Sequence, residues 1–517
     1  MRKFPFLSQD PFEKIRELRS ATISRVAPEG FSIAALTWIA RSSGPTLILA
    51  PTEETAAKLT SDLTLLMQAF NGPARLQPEY FPAWDISPYL KLAPSHAIRN
   101  KRLTNLVRLS QQSLSSIVLG PEGLLQPCAA QQIIKSAIKI RVKQALDPLQ
   151  LELSLIRLGY ERAEKVEDPG TFSVRGGIFD VFSPAHTHPA RIDFFDVTVE
   201  NIRPFNPTTQ RSIEAPTGPF ELLVSPCRDY HCGPEDLNEI RAKIKSWADE
   251  CDVPKKLRDR LGDQLAAGVA PQELDYLLPM ISGAKTSIFD HLPQAGTALL
   301  LDADAFWKNS AEYLKKQIDR YEATQTDTRD LHLDPNHLFI NPQEAQAGLA
   351  NLKLIALDPI HQAVTGPQID FPVEPPPKLH LQEHSHAPGK KSVNLNRLIS
   401  EITRRHETAY SVTISARSQA QAERIGFLLA QRQVKSTHDQ SAIPEKSALT
   451  VSIIDGELSA GFICHPLRMA LLSDADLFGI TETRSPFHVY CQRRKQRSTR
   501  LIQTLQRAIL LYTWNTA

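Results

Sequence analysis

Residues 167–182, EDPGTFSVRGGIFDVF, and residues 190–196, ARIDFFD, concentrate side chains suited to gripping another protein rather than transforming a substrate. In an extended strand, alternate side chains share a face. With Phe172 and Val174 inward, Ser173 and Arg175 point outward. With Ile192 and Phe194 inward, Arg191, Asp193 and Phe195 share the outward face. A phenyl ring beside arginines, on a face where polar residues are expected, has the make-up of a binding hot spot: the ring anchors and the guanidinium groups donate directed hydrogen bonds. A ring packed beneath a covering loop or helix gives the same pattern, and alternation alone leaves both readings open.

Nucleotide chemistry would need a glycine-rich turn after the first strand, followed by Lys and Ser or Thr. The chain instead carries Arg25, Val26, Ala27, Pro28, Glu29, Gly30, Phe31 and Ser32. Phe31 stands where the lysine belongs, Glu29 repels phosphate, and Pro28 lacks a backbone donor. Arg25, Gly30, Phe31 and Ser32 thus mark a degenerate loop, with the fold's turn kept and its chemistry lost. The acidic run Ser473-Asp474-Ala475-Asp476 resembles a metal-binding strand end, but with no phosphate loop to serve it reads as a solvated terminus. No catalytic constellation stands out, and among 57 acidic residues chance pairings carry no weight.

Cys227 and Cys232 flank His231, but no second ligand pair follows, so reduced thiols are expected rather than zinc. His186 and His188 fall in a turn-like polar stretch and read as a surface loop. Neither a metal nor a cofactor is expected.

These residues must be positioned by more than one core, because 517 residues exceed what a single core supports and suit three or four domains. Net charge is +2, so no global basic field grips nucleic acid. No apolar run of about 18 residues occurs, which predicts no membrane span. The N-terminal segment has no apolar stretch of the secretory kind, so a cytoplasmic location is expected.

The pattern predicts an α/β multidomain chain. Residues 22–27, 46–50 and 116–119 read as strands and 31–41 and 53–70 as helices, giving a parallel sheet covered by helices. From 171 to 212 short aromatic and β-branched runs separated by Gly, Pro and Asn predict an antiparallel meander. Residues 235–289 read as helix-rich and 298–302 as a strand. The Pro- and His-rich stretch 371–391 reads as a linker. A third α/β unit follows, with helices at 395–405 and 419–431 and strands at 411–415, 449–454 and 469–473.

The sequence GTFSVRGGIFDVF, then ARIDFFD and VENIRPFNPTTQRS, resembles the second domain of the transcription-repair coupling factors, the Mfd family; UvrB carries a more distant version. Tyr80 to Asp85 with Pro88-Tyr89, the stretch 99–109, Leu274-Asp275-Tyr276, and ALLSDADLFG at 470–479 resemble other parts of the same family, so the likeness spans most of the chain. It implies a UvrB-like module. Its parts are a degenerate P-loop-type parallel-sheet domain at 1–136 and 223–365, a small α+β domain with an antiparallel sheet at 137–222, a linker at 366–391 and a separate third α/β domain at 392–480. In the family the small domain binds UvrA through the arginine of an RG pair, the arginine opening RxDFF and the second phenylalanine of that motif. On this chain these are Arg175, Arg191 and Phe195.

The implied function is UvrA recruitment in nucleotide excision repair, without a motor and without enzymatic activity of this chain. The family's RNA polymerase and DNA contacts belong to domains absent here. After Gly479 the likeness fades into a divergent basic tail at 481–517. Suitable codons for 502–517, read two nucleotides on, can spell a string resembling the start of the family's next domain, which gives a frameshift as one expectation. The other is a genuine short protein whose basic tail is a lineage-specific helix or a disordered arm. For function, the alternatives to UvrA recruitment are a UvrB-like DNA-binding protein, supported by that tail, and a non-functional truncated gene product.

Overall fold

The computed structural model describes residues 10–479 apart from 43, 71, 74–75, 91–93, 214–220, 251–254, 269–270, 294–295, 325–331, 360–365, 380, 382, 386–390, 394 and 438–448. The tail at 481–517 lies outside the described residues. Ser20–Val26, Thr46–Leu49, Ser116–Leu119 and Thr297–Leu301 are strands of one large sheet, and the last three are buried along their whole length. Continuous apolar strands of this kind fit a parallel sheet covered on both faces. Helix starts follow local chemistry. Thr52 accepts the N–H of Thr55 at 3.0 Å ahead of Glu53–Ala69, whose first turn is acidic, and Ser95 caps His96–Ser110.

The large sheet has 12 strands. From one edge they run Lys435–Thr437, Thr450–Asp455, Ser411–Ala416, Met469–Leu472, Phe462–Cys464, Gln368–Glu374, Ser20–Val26, Lys353–Asp358, Thr297–Leu301, Thr46–Leu49, Ser116–Leu119 and Glu79–Tyr80. Phe462–Cys464 runs antiparallel to both neighbours, and the other pairings are parallel.

This continuity differs from the expectation of a separate third unit, whose strands extend the sheet of the first. The strand Gln368–Glu374, which joins the two sets of strands, lies inside the segment read as a linker. Its composition is linker-like, but Pro372 sits where the register with Ser20–Val26 shifts, so its missing N–H breaks no ladder bond there. At the N-terminus Glu13–Arg16 is a four-residue helical turn without a side-chain cap, and the Asp10 carboxylate accepts the N–H of Phe12 at 3.0 Å.

The small antiparallel sheet is separate. Thr171–Arg175, Ile178–Val181, Ala190–Phe195 and Thr198–Pro204 form the meander, and Glu161–Arg162 adds a parallel edge. The chain enters this unit along Ile138–Arg141 and leaves along Glu221–Val224, which pair antiparallel. Helix Pro148–Arg157, started by Pro148 and by Asp147 accepting from Leu149 N–H at 2.8 Å, packs Leu151 and Leu155 on the inner face of the sheet with Phe172, Phe179 and Ile192.

Arg99 fastens the unit to the body. Its Nη1 lies 2.6 Å from Asp275 Oδ2, and its Nε–H donates to the Cys227 carbonyl at 3.0 Å. On the other side Arg157 forks onto Asp236, with both bonds at 2.9 Å.

Candidate protein-binding face of the small sheet

Strand register places the outward residues in rows. Arg203, Arg191, Asp180 and Ser173 form one row across four strands; Asn201, Asp193, Ile178 and Arg175 form the next. Phe195 follows at the hairpin tip, opposite Thr198. Its ring is 73% exposed, so of the two readings left by alternation the covered one does not hold. Ile178 and Val197 flank it, 41% and 42% exposed, giving an apolar patch at one end of an otherwise polar face.

The turn before Ile178 depends on glycine. Gly176 has φ +60, and a Cβ on Gly177 would lie 2.9 Å from the backbone oxygen of Phe194. Phe194 N–H donates to the Gly177 carbonyl at 2.8 Å, so this close approach fixes the strand that carries Phe195. Asp196, with φ +54, turns the chain immediately beyond the ring.

The two arginines differ. Arg175 is exposed and donates from Nη2 to the carbonyl of Glu164 at 2.7 Å; among the described residues it pairs with no carboxylate. Arg191 is half-buried. Its Nε and Nη2 reach Asp180 Oδ1 and Oδ2 at 2.7 and 2.8 Å, and its guanidinium lies 4.9 Å from the ring centre of Phe205. Asp180 is 3% exposed. The hydrogen bonds that Asp180 accepts raise the Arg191 pKa above its ordinary value. Sequence alternation finds Arg191 on the outward face but misses its partner, because Asp180 faces it only through the strand register. Asp193 is paired by a single bond with Arg203, diagonally across the strand pair, at 2.6 Å.

The loop 25–32, read from sequence as a degenerate phosphate loop, lies apart from this face, at the end of a strand of the large sheet. Arg25, with φ +63, is exposed and makes a loose ion pair with Asp370 at 3.8 Å. Gly30 N–H donates to the Ala27 carbonyl at 2.7 Å, and a Cβ on Gly30 would lie 2.4 Å from the Val373 side chain. Phe31 and Ser32 are buried at the start of helix Phe31–Ile39.

The acidic run 473–476 is buried rather than solvated. Asp476 accepts the N–H groups of Gly461 and Ser473 at 3.0 and 2.9 Å and pairs with Lys378, while Asp474 pairs with Arg417 at 2.5 Å. These acids cap a short helix and hold a loop. His186 is half-buried and accepts the Leu223 N–H at 3.0 Å, and burial lowers its pKa; His188 is exposed, as a surface loop requires. Cys227 and Cys232 are free thiols. Among the described residues no three His, Cys, Asp or Glu side chains converge as a metal site would need, and no helix is long and apolar enough to cross a membrane.

Sequence reasoning missed a second apolar surface. Leu149, Leu153 and Ile156, at i, i+4 and i+7 of helix Pro148–Arg157, are exposed on the side away from the sheet. An open groove on the body, about 830 Å³, is lined by Arg19, Lys285, Phe289 and Glu344, but Lys285 is already paired with Glu344 at 2.7 Å.

The family model described as "UvrB interaction domain" matches residues 138–230, the small unit. The chain is 28% identical over 497 residues to the transcription-repair-coupling factor of Myxococcus xanthus, covering 92% of this chain and 40% of that protein. It is 24% identical to the one of Haemophilus influenzae, over 77% of this chain and 33% of that protein, and 25% identical to the one of Bacillus subtilis, over 86% and 36%. The chain thus spans no more than 40% of the length of these relatives.

Proposed function

From this kinship with the N-terminal region of transcription-repair coupling factors, we propose that the chain recruits UvrA in nucleotide excision repair, through Arg175, Arg191 and Phe195 on the small sheet. The observation that carries the reading is the exposed Phe195 ring at the end of a face whose other apolar side is fully packed. Exposed aromatics cost little when they fill a pocket on a partner, and truncating one such anchor typically costs about 2 kcal/mol or more of binding. The guanidinium groups add directed, charge-assisted bonds.

The same reading gives the chain no motor of its own. Phe31 stands in the place of the phosphate-loop lysine, and Val373 packs over Gly30. RNA polymerase and DNA contacts would then belong to parts of the longer relatives that this chain does not span. The division into a UvrB-like body, an inserted small domain and a third unit belongs to this proposal too.

Titrating purified chain with UvrA, beside an Arg191→Ala, Phe195→Ala double variant, tests it. Binding that the double variant loses, with its unfolding curve intact, supports recruitment. A well-folded parent chain that ignores UvrA sinks it.

A further inference from the structure

The Arg191–Asp180 fork divides the labour on this face in a way that the three site residues alone do not suggest. A guanidinium has five N–H donors in one plane. Two of them, on Nε and Nη2, are spent on Asp180. The remaining donors, two on Nη1 and one on Nη2, lie at the other end of the plane, away from the buried carboxylate. The guanidinium carbon lies 4.9 Å from the ring centre of Phe205, which braces the group on its other side. The pair is also neutral as a unit, because the Asp180 charge is matched at contact distance. Arg175 has only the neutral Glu164 carbonyl and keeps its whole positive charge. Asp193 and Arg203 cancel one another beside it.

Resting on the recruitment reading, we infer that Asp180 is a positioning residue. It holds Arg191 as a pre-aimed, charge-neutralised donor for a carbonyl oxygen of the partner, while Arg175 alone takes a partner carboxylate. The partner surface is then specified by chemistry. It has an apolar pocket for Phe195 edged by Ile178 and Val197, an acidic side chain on the Arg175 side, and an exposed backbone or amide carbonyl on the Arg191 side. A carboxylate at Arg191 would meet the field of Asp180 behind the guanidinium and would lose more in desolvation than a neutral carbonyl does.

The two arginines are separable by salt. An ion pair with a partner carboxylate weakens as ions screen it, and a bond from a neutralised guanidinium to a carbonyl does not. The test is the affinity of the full chain for purified UvrA between about 50 and 300 mM salt, for the parent and for Arg175→Gln, Asp180→Asn, Arg191→Lys and Phe195→Ala, each checked by thermal unfolding. Arg175→Gln should flatten the salt dependence. Asp180→Asn, nearly isosteric, should weaken binding about tenfold at every salt concentration and leave the slope unchanged. Arg191→Lys keeps the charge but not the fork, and should behave like Asp180→Asn.

Tighter or more salt-sensitive binding by Asp180→Asn overturns the inference, since a freed charge would then have found an acid. So does an unchanged affinity in that variant while Phe195→Ala abolishes binding, an outcome that leaves the recruitment reading standing. No binding by the parent chain overturns both.

Discussion

Asp62, within helix Glu53–Ala69, accepts the backbone N–H of Ser459 at 2.8 Å, and the Ser459 hydroxyl closes on its other oxygen. One carboxylate thereby ties the first helices of the chain to a loop almost four hundred positions later. Burial pushes this carboxyl from the ordinary 3.8 up to about 6, against the pull of the Ser459 hydrogen bonds. The folded value lies above the unfolded one. The stabilising contribution is therefore complete below about pH 3.8 and is lost as pH rises through about 6.

Asp62→Asn removes that dependence. The stability difference between parent and variant should shift by on the order of 3 kcal/mol between pH 4 and 7.5, in favour of the parent at the acid end. Glu53 and Asp229, pushed up by burial to about 7 and about 6, act in the same direction and cancel in the comparison. Urea unfolding of both proteins at the two pH values measures it. Parallel stability curves would mean that Asp62 is solvated.

Asp275→Asn should cost about 3–5 kcal/mol, because it strands the Arg99 guanidinium, itself 3% exposed, without its counter-charge. The same arginine holds the Cys227 carbonyl, so the loss should loosen the small unit on the body before it unfolds the small sheet. Hydrogen exchange resolves the two: early loss of protection in 225–230 with 171–204 still protected is expected, and simultaneous loss would contradict it.

The two faces of helix Pro148–Arg157 should respond oppositely to truncation. Leu155→Ala empties a site in the core and should cost about 2–5 kcal/mol. Leu153→Ser, on the exposed stripe, should change stability by about 0.5 kcal/mol or less. A large loss from Leu153→Ser in the isolated chain would show that this stripe is covered.

How far the sequence reached depended on whether a signal was local. Thr46–Leu49, Ser116–Leu119 and the helix Glu53–Ala69 announce themselves by apolar runs and an N-cap, and their bounds fall within a residue of expectation. Period-two alternation put Arg175, Arg191 and Phe195 on one face. The Asp180 fork escaped because it depends on pairing between strands, which alternation within one strand does not encode. The strand Gln368–Glu374 escaped because a proline-rich run scores as linker wherever its ladder tolerates a missing donor. The burial of Asp474 and Asp476 escaped for a related reason: acids read as solvated until Lys378, Arg417 and the N–H of Gly461 are seen around them.

The strand Ser20–Val26 is bordered by Lys353–Asp358 on one side and Gln368–Glu374 on the other. On the ribosome, then, this strand waits for both its neighbours until more than three hundred further residues have been translated. At roughly 5–20 residues per second that is about 15 to 70 seconds. The small sheet pairs only within its own stretch and can close during the wait. A nascent chain stalled before Lys353 would present a finished Phe195 face on a body whose central strand still has two open edges, a form able to engage a partner and to aggregate at once.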